Sequence, residues 1–317
     1  MRNVVAIALS LIAAAGLTSP PMAMAQAAPP EPSREMVPAP ALPLQPSQGL
    51  PGDNPRIIRV GPGRDFLTIH EAAAAVIPGQ TVEIFQGRYS ECAIWPSGAN
   101  NITITGIGRV VVSQTNCNDK ALFVVRGDDV TVRNITFSRA SVPDHNGAGI
   151  RAEGVNLTVE KSKFLNNENG ILAGTVRDST IIVRKSVFRG NGSCIAACAH
   201  GIYVDQIKRI RIEDCTFIGQ QVGHHIKSRA LRTEVVHNVI RDGKTGTASY
   251  LIDVPQGGSI LITGNMLEKG PRASNRSVAI SIGAESEKGL NPAGEFDIED
   301  NCFANDMARQ KIGRAHV

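Results

Sequence analysis

The hydrophobic pattern of this chain repeats on two scales. Over residues 157–217 one eight-residue phrase occurs three times: Leu157-Thr-Val-Glu-Lys-Ser-Lys-Phe164, Ile181-Ile-Val-Arg-Lys-Ser-Val-Phe188 and Ile210-Arg-Ile-Glu-Asp-Cys-Thr-Phe217. Its form is aliphatic, x, aliphatic, x, x, small polar, x, Phe. The first and third positions alternate as one face of a strand does. The phrase fits well again at 130–137 and 296–303, loosely at 233–240 and 260–267, and in its first half at 102–109. Successive starts lie 23 to 36 residues apart.

A unit of this length, built of short strands with no helix between them, cannot bury its apolar face alone. Stacking the units supplies the missing partner. The pattern therefore predicts an all-β fold, a single-stranded right-handed parallel β-helix in which each unit is one turn of a solenoid. Equivalent inward residues then stack at roughly 4.8 Å. The last position gives a column of Phe137, Phe164, Phe188, Phe217, Ile240, Leu267 and Phe303. The sixth gives Ile135, Ser162, Ser186, Cys215, Asn238, Asn265 and Asn301, a polar column suited to a buried turn. A second strand in most turns carries an Ile marker: Ile150, Ile171, Ile202, Ile226, Ile252 and Ile280. A leucine-rich repeat lacks its Leu frame here, and a two-sheet sandwich does not explain the columns.

The flanks read differently. Residues 1–25 have the form of a secretory signal peptide: Arg2, an apolar run from Val4 to Leu17, and Ala23-Met24-Ala25 as the cleavage signal. Residues 26–55 hold nine of the eighteen prolines and read as an extended linker. The solenoid domain is expected over 56–310. It is entered through a strand at 57–60 and a short capping helix from Thr68 to Val76, opened by the capping box Thr68-Ile-His-Glu71. Residues 311–317 look foreign, because the last six can be encoded by a common sequencing-adapter string, and the natural chain is expected to continue beyond about Gln310.

Charge adds little. The chain has 33 Lys and Arg against 29 Asp and Glu. Leaving out Arg2, Lys311 and Arg314 brings the two near balance, which gives no electrostatic case for nucleic acid. No second apolar run is long enough for a membrane span. Six cysteines with an export signal favour disulfides. Cys92 and Cys117 suit adjacent rungs, Cys194 and Cys198 suit a small ring, Cys215 falls in the inward polar column as a buried thiol, and Cys302 points outward without an evident partner. A secreted or periplasmic monomer is expected. No cofactor is called for; Ca2+ is compatible with the composition, but no residue pattern asks for it.

If the marker Ile points inward, the residues one and three after it point outward. The first column reads Arg151, Leu172, Tyr203, Lys227, Asp253 and Ser281, and the second includes Glu153, Asp205 and Arg229. Polar groups concentrate on three rungs: Tyr203 and Asp205, then His225, Lys227 and Arg229, then Asp253. Neighbours roughly 5 Å apart across rungs and roughly 7 Å along a strand match a sugar ring. Such a cluster offers a base, a cation for a uronate carboxylate and a proton donor, with Lys227, Arg229 and Tyr203 as the catalytic candidates and Asp205, His225, Asp253 and Arg151 as substrate contacts. Plain cross-strand ion pairing is the competing reading, and Asp253 beside Lys227 favours the ammonium over a base. His200 and His224, two residues before their Ile, are expected to point inward.

The repeat, with the entry segment Val60-Gly-Pro-Gly-Arg-Asp-Phe-Leu-Thr-Ile-His-Glu71 and Pro78-Gly79-Gln-Thr-Val82, resembles the right-handed β-helix proteins of the pectin-lyase-like superfamily over about residues 56–306. That resemblance implies a polysaccharide partner, since the superfamily includes pectate lyases, alginate lyases, polygalacturonases and mannuronan epimerases. More narrowly, His225-Ile-Lys-Ser228 is similar to the strand of β-helix alginate lyases that carries their catalytic lysine, matched here by Lys227. Where those enzymes offer an arginine on the next rung, this chain has Asp253. The expectation is an exported protein that binds or processes an acidic polysaccharide by lyase or related chemistry. The alternative is a non-catalytic scaffold or envelope protein that binds glycan.

Overall fold

The computed structural model describes residues 56–195, 197–285 and 289–306. The expected signal peptide, linker and 311–317 tail lie outside them. The chain winds as an all-β parallel solenoid. One typical rung runs Leu157–Glu160, Lys163–Leu165 and Asn169–Ala173. Strands of the first two kinds join into one 17-stranded sheet, and those of the third form an eight-stranded sheet running from Ala93–Trp95 to Ile280–Ile282. Every pairing of named strands is parallel, and the register carries from rung to rung apart from irregularities between Phe85 and Gly87 and between Val176 and Thr180. Parallel strands joined by crossovers wind right-handed.

The predicted columns are the observed ones. Phe137, Phe164, Phe188, Phe217, Ile240, Leu267 and Phe303 pair in register across successive rungs. The first four are buried, and their rings stack at centroid spacings of 5.2, 4.6 and 4.6 Å. That spacing is the strand separation of a sheet, so the backbone repeat sets the ring stacking.

The small polar column works as a ladder of hydrogen bonds. Each side chain accepts the backbone N–H of its equivalent on the preceding rung. Ser186 Oγ takes Ser162 N–H at 3.1 Å, Asn238 Oδ1 takes Cys215 N–H at 2.8 Å, and Asn265 Oδ1 takes Asn238 N–H at 2.9 Å. The residue before each ladder position turns the chain with positive φ: Lys161, Lys185, Asp214, His237, Gly264 and Asp300. The turn thus exposes N–H groups inside the wall, and only a short polar side chain reaches them. Asn265 also donates to Val235 O at 2.8 Å and Thr263 O at 3.1 Å. Asn265→Ala is expected to cost about 2–4 kcal/mol in denaturant unfolding, since several buried groups lose partners together. A variant as stable as the parent would mean that water replaces the ladder.

The capping helix spans Ile69–Ala75, with Thr68 and Glu71 forming the reciprocal capping box. Ile69, Ala72 and Ala73 face the core and close the first rung. At the other end Phe296 and Phe303 are exposed. Cys92 and Cys117 are joined across adjacent rungs with Cα atoms 5.5 Å apart, and Cys194 is joined to Cys198. Cys215 is a buried free thiol whose pKa burial pushes up to about 12, and Cys302 is free and exposed. Among the described residues no helix is long and apolar enough to cross a membrane.

Candidate functional site

The eight-stranded sheet turns its marker residues inward: Ile150, Ile171, Ile202, Ile226 and Ile252 are fully buried. The residues one after them form the outer column in the predicted order, Arg151 to Leu172 to Tyr203 to Lys227 to Asp253 to Ser281. The column has two characters. On its early rungs Val124, Leu172 and Ile94 pack with Cys92, Cys117 and Ala148 in a small apolar cluster that reaches Tyr203. Beyond Tyr203 the face becomes polar.

There the side chains interlock. Arg229 donates through Nη1 to Tyr203 Oη in a short hydrogen bond, and its guanidinium lies 5.3 Å from the centre of the Tyr203 ring. Its Nη2 sits 2.6 Å from Glu285 Oε2. Lys227 Nζ lies 3.1 Å from Glu285 Oε1 and 3.4 Å from Asp253 Oδ2. Both cationic side chains are only 13 % exposed, so these contacts are better shielded than the solvated pairs expected from the sequence.

A row of rings borders the cluster. His200 stacks on His224 at 4.8 Å, and His224 on Tyr250 at 4.9 Å. Their Nδ1 atoms are occupied as acceptors: His200 Nδ1 takes His224 N–H at 3.0 Å, and His224 Nδ1 takes Tyr250 N–H at 3.2 Å. In the neutral rings the proton therefore sits on Nε2, and His224 Nε2–H faces Asp253 Oδ2 at 3.4 Å. Burial, followed by repulsion from Lys227, lowers the His224 pKa to about 3, while burial, with His224, Lys227 and Arg229 nearby, holds His200 well below the usual histidine range.

Asp253 responds the other way. Burial raises its carboxyl pKa even though Lys227 draws it down. Ser281 on the next rung favours the ionised form, yet Asp253 Oδ1 itself is buried with no hydrogen-bond partner. An oxygen in that state suits a carboxyl group that exchanges a proton. Burial likewise raises the Tyr203 phenol, against the pull of Arg229.

The structure thus brings together Tyr203, Lys227, Arg229 and Asp253. Three other sequence candidates bond elsewhere, although the Asp205 charge still acts on Tyr203 and Arg229. Asp205 turns to Thr175 Oγ1 at 2.9 Å. Arg151 lies on the far side of Leu172, with its Nε 3.9 Å from Glu153. His225 is corrected in direction: it is 1 % exposed, and its Nε2 meets the buried Asp242 at 3.0 Å, where Lys269 completes a triad. His200 and His224, both expected inward, stack in the row that borders the outer cluster instead. The strands begin only at Ile202 and Ile226, so the alternation that assigned these histidines does not extend to them.

Glu285 gave no signal in the sequence, because it follows the last strand of the sheet in an irregular segment outside the repeat. His200, His224 and Tyr250 did leave one, each standing two residues before a marker Ile. Close to the cluster, past the strand ends, lies a groove of about 390 Å³ bordered by Arg177, Gln206, Leu231, Gln256 and Asn291. Among the described residues no group of three or more His, Cys, Asp and Glu side chains is placed to hold a metal.

Comparison with known proteins gives a family and a fold. The family described as "Right handed beta helix region" matches residues 68–240. No curated protein shows significant similarity to the chain. Among solved structures, Escherichia coli YbhC aligns at a TM-score of 0.51 and 13 % identity over 86 % of this chain and 89 % of that one. A pectin methylesterase from Aspergillus niger aligns at 0.47 and 12 %, over 82 % and 91 %. At these identities the likeness concerns the fold alone. With parallel rungs along the described residues and a family match over more than half its length, the chain belongs to the right-handed β-helix family.

Proposed function

We propose that the outer face of the eight-stranded sheet around Tyr203, Lys227, Arg229 and Asp253 binds an acidic polysaccharide in an exported protein. The observation that carries this reading is the cation pair formed by Lys227 on the strand Ile226–Ser228 and Arg229 directly after it. Lys227 and Arg229 stand two residues apart, shielded from water and already bridged by one carboxylate. A uronate carboxylate presents the same two acceptor oxygens to the same donors. The neighbouring Tyr203 ring and Asp253 carboxyl are suited to sugar C–H faces and hydroxyls. The two disulfides agree with an oxidising compartment.

Lys227 stands between two carboxylates, Glu285 and Asp253, a setting that suits charge neutralisation and not proton abstraction. A second reading, lyase chemistry, is favoured by Asp253. With Lys227 and Arg229 drawing charge from the substrate carboxylate, the proton α to it becomes easier to remove. Asp253 then offers a carboxyl able to exchange a proton. The test is a screen of full-length protein against uronate polymers, reading both affinity and new ultraviolet absorbance from an unsaturated product. Binding is expected, and Lys227→Ala should weaken it about tenfold or more. The same variant should lose only about 1–2 kcal/mol of stability, because Asp253 can take up a proton when its partner is removed. Binding without absorbance selects the non-catalytic reading. Full affinity in Lys227→Ala moves the site elsewhere.

A further inference from the structure

We infer that Glu285 occupies the ligand's place in the resting site, so that Lys227 and Arg229 accept an ionised uronate only by exchanging it for this internal carboxylate. The inference rests on the reading above and adds its selectivity. Glu285 is foreign to the repeat. It reaches the site from beyond Ile280–Ile282, two strands away from Ile226–Ser228 in the sheet. It places one oxygen on each cation, Oε1 at 3.1 Å from Lys227 and Oε2 at 2.6 Å from Arg229. That is the geometry of a carboxylate ligand held between two donors, supplied here by the protein itself.

Electrostatics define what can replace it. With Asp253 ionised, the four groups in contact, Lys227, Arg229, Asp253 and Glu285, are neutral together; removing the Glu285 charge leaves their two cations with one carboxylate, and Asp205 acts on Arg229 only from beyond contact. The replacing group needs a negative charge and two acceptor oxygens at once. An ionised uronate has both. Its methyl ester has lost the charge and keeps only one strong acceptor, so it cannot restore both contacts and leaves a buried cation underpaired. The site should therefore discriminate the acid from the ester. Exchange also weakens apparent affinity by the fraction of molecules in which the cation pair is open. If that fraction is about one tenth, opening it fully gains about tenfold.

The experiment is calorimetric titration of wild-type protein, Glu285→Gln, Arg229→Ala and the double variant with tetragalacturonate, tetramannuronate and the methyl-esterified galacturonate tetramer. Circular dichroism and melting curves check that each variant is folded. Glu285→Gln keeps the side chain's size and removes its charge. It is expected to bind one of the acidic tetramers about tenfold more tightly than wild type, and to bind the ester at least about tenfold more weakly than the acid. Arg229→Ala in the Glu285→Gln background should remove the gain. Unchanged or weaker binding by folded Glu285→Gln, in a protein whose wild-type binding depends on Arg229, would overturn the exchange and leave the site standing. Wild-type binding that ignores Arg229→Ala, or no binding of either acidic tetramer by wild type or Glu285→Gln, would overturn both.

Discussion

Phe188→Ala is expected to lower the unfolding free energy by about 3–5 kcal/mol. Phe188 is buried at the centre of the stack, with Phe164 and Phe217 each 4.6 Å away. The rungs above and below are held by parallel backbone hydrogen bonds at fixed spacing, so they cannot close over the vacated volume. The full cavity cost then adds to the lost transfer free energy. Leu67 is the internal control: it is a large apolar residue outside the column and 65 % exposed, so Leu67→Ala should cost less than about 1 kcal/mol. Urea unfolding of both variants checks this. Equal effects at the two positions would contradict a core built around the inward column.

Acid should unfold the protein through its histidines before its carboxylates. In the unfolded chain these histidines take up protons below about pH 6.5. In the folded chain burial depresses His200, His224 and His225, with His224 lowered to about 3. The unfolded state therefore binds more protons between pH 6.5 and about 3, and stability falls as pH falls through that window. His224 alone contributes a slope that approaches about 1.4 kcal/mol per pH unit, or about 2 kcal/mol between pH 6.5 and 4.5.

Below that range carboxylates join. Burial would raise the Glu234 pKa, but hydrogen bonds from Arg209, Arg232 and Arg211 outweigh it and bring it to about 2. Its stabilising contribution is present above about 4.5 and is lost as pH falls towards 2. Urea titrations at pH 7.0, 5.5 and 4.5 should show the loss, and His224→Gln should flatten the slope. A stability unchanged from pH 7.0 to 4.5 would mean that the histidines titrate normally and that the stacked row is open to water.

Most of the fold was legible in the sequence because a parallel solenoid stacks like on like. A phrase repeated along the chain becomes a column in space, so the positions of Phe188, Asn238 and Lys227 followed from counting. Counting failed where the chain leaves the repeat. The eight-stranded sheet contributes only three residues on the rungs of the site, and alternation projected before the strand start misplaced His200, His224 and His225. Asp205 follows its strand directly and turned to Thr175 instead of Arg229. Asn191 is buried and its Oδ1 accepts Asn167 N–H at 3.0 Å, while Asn167 Oδ1 accepts Ala140 N–H at 2.9 Å; this second polar ladder lies past the end of the eight-residue phrase. Glu285, which joins the two cations, belongs to no repeat position at all. The scaffold of the site is thus written in the periodicity, and its closure in the irregular segments.

Hydroxyl-radical footprinting in the presence of an acidic uronate tetramer tests the site most directly, since it reads where the ligand lies without assuming that anything is cleaved. Aromatic and imidazole side chains at the cluster are reactive reporters. The tetramer is expected to protect Tyr203, His224 and Tyr250, and Arg229→Ala to abolish the protection. Protection confined to other parts of the solenoid, or none at ligand concentrations that saturate binding, would contradict a uronate site on this face.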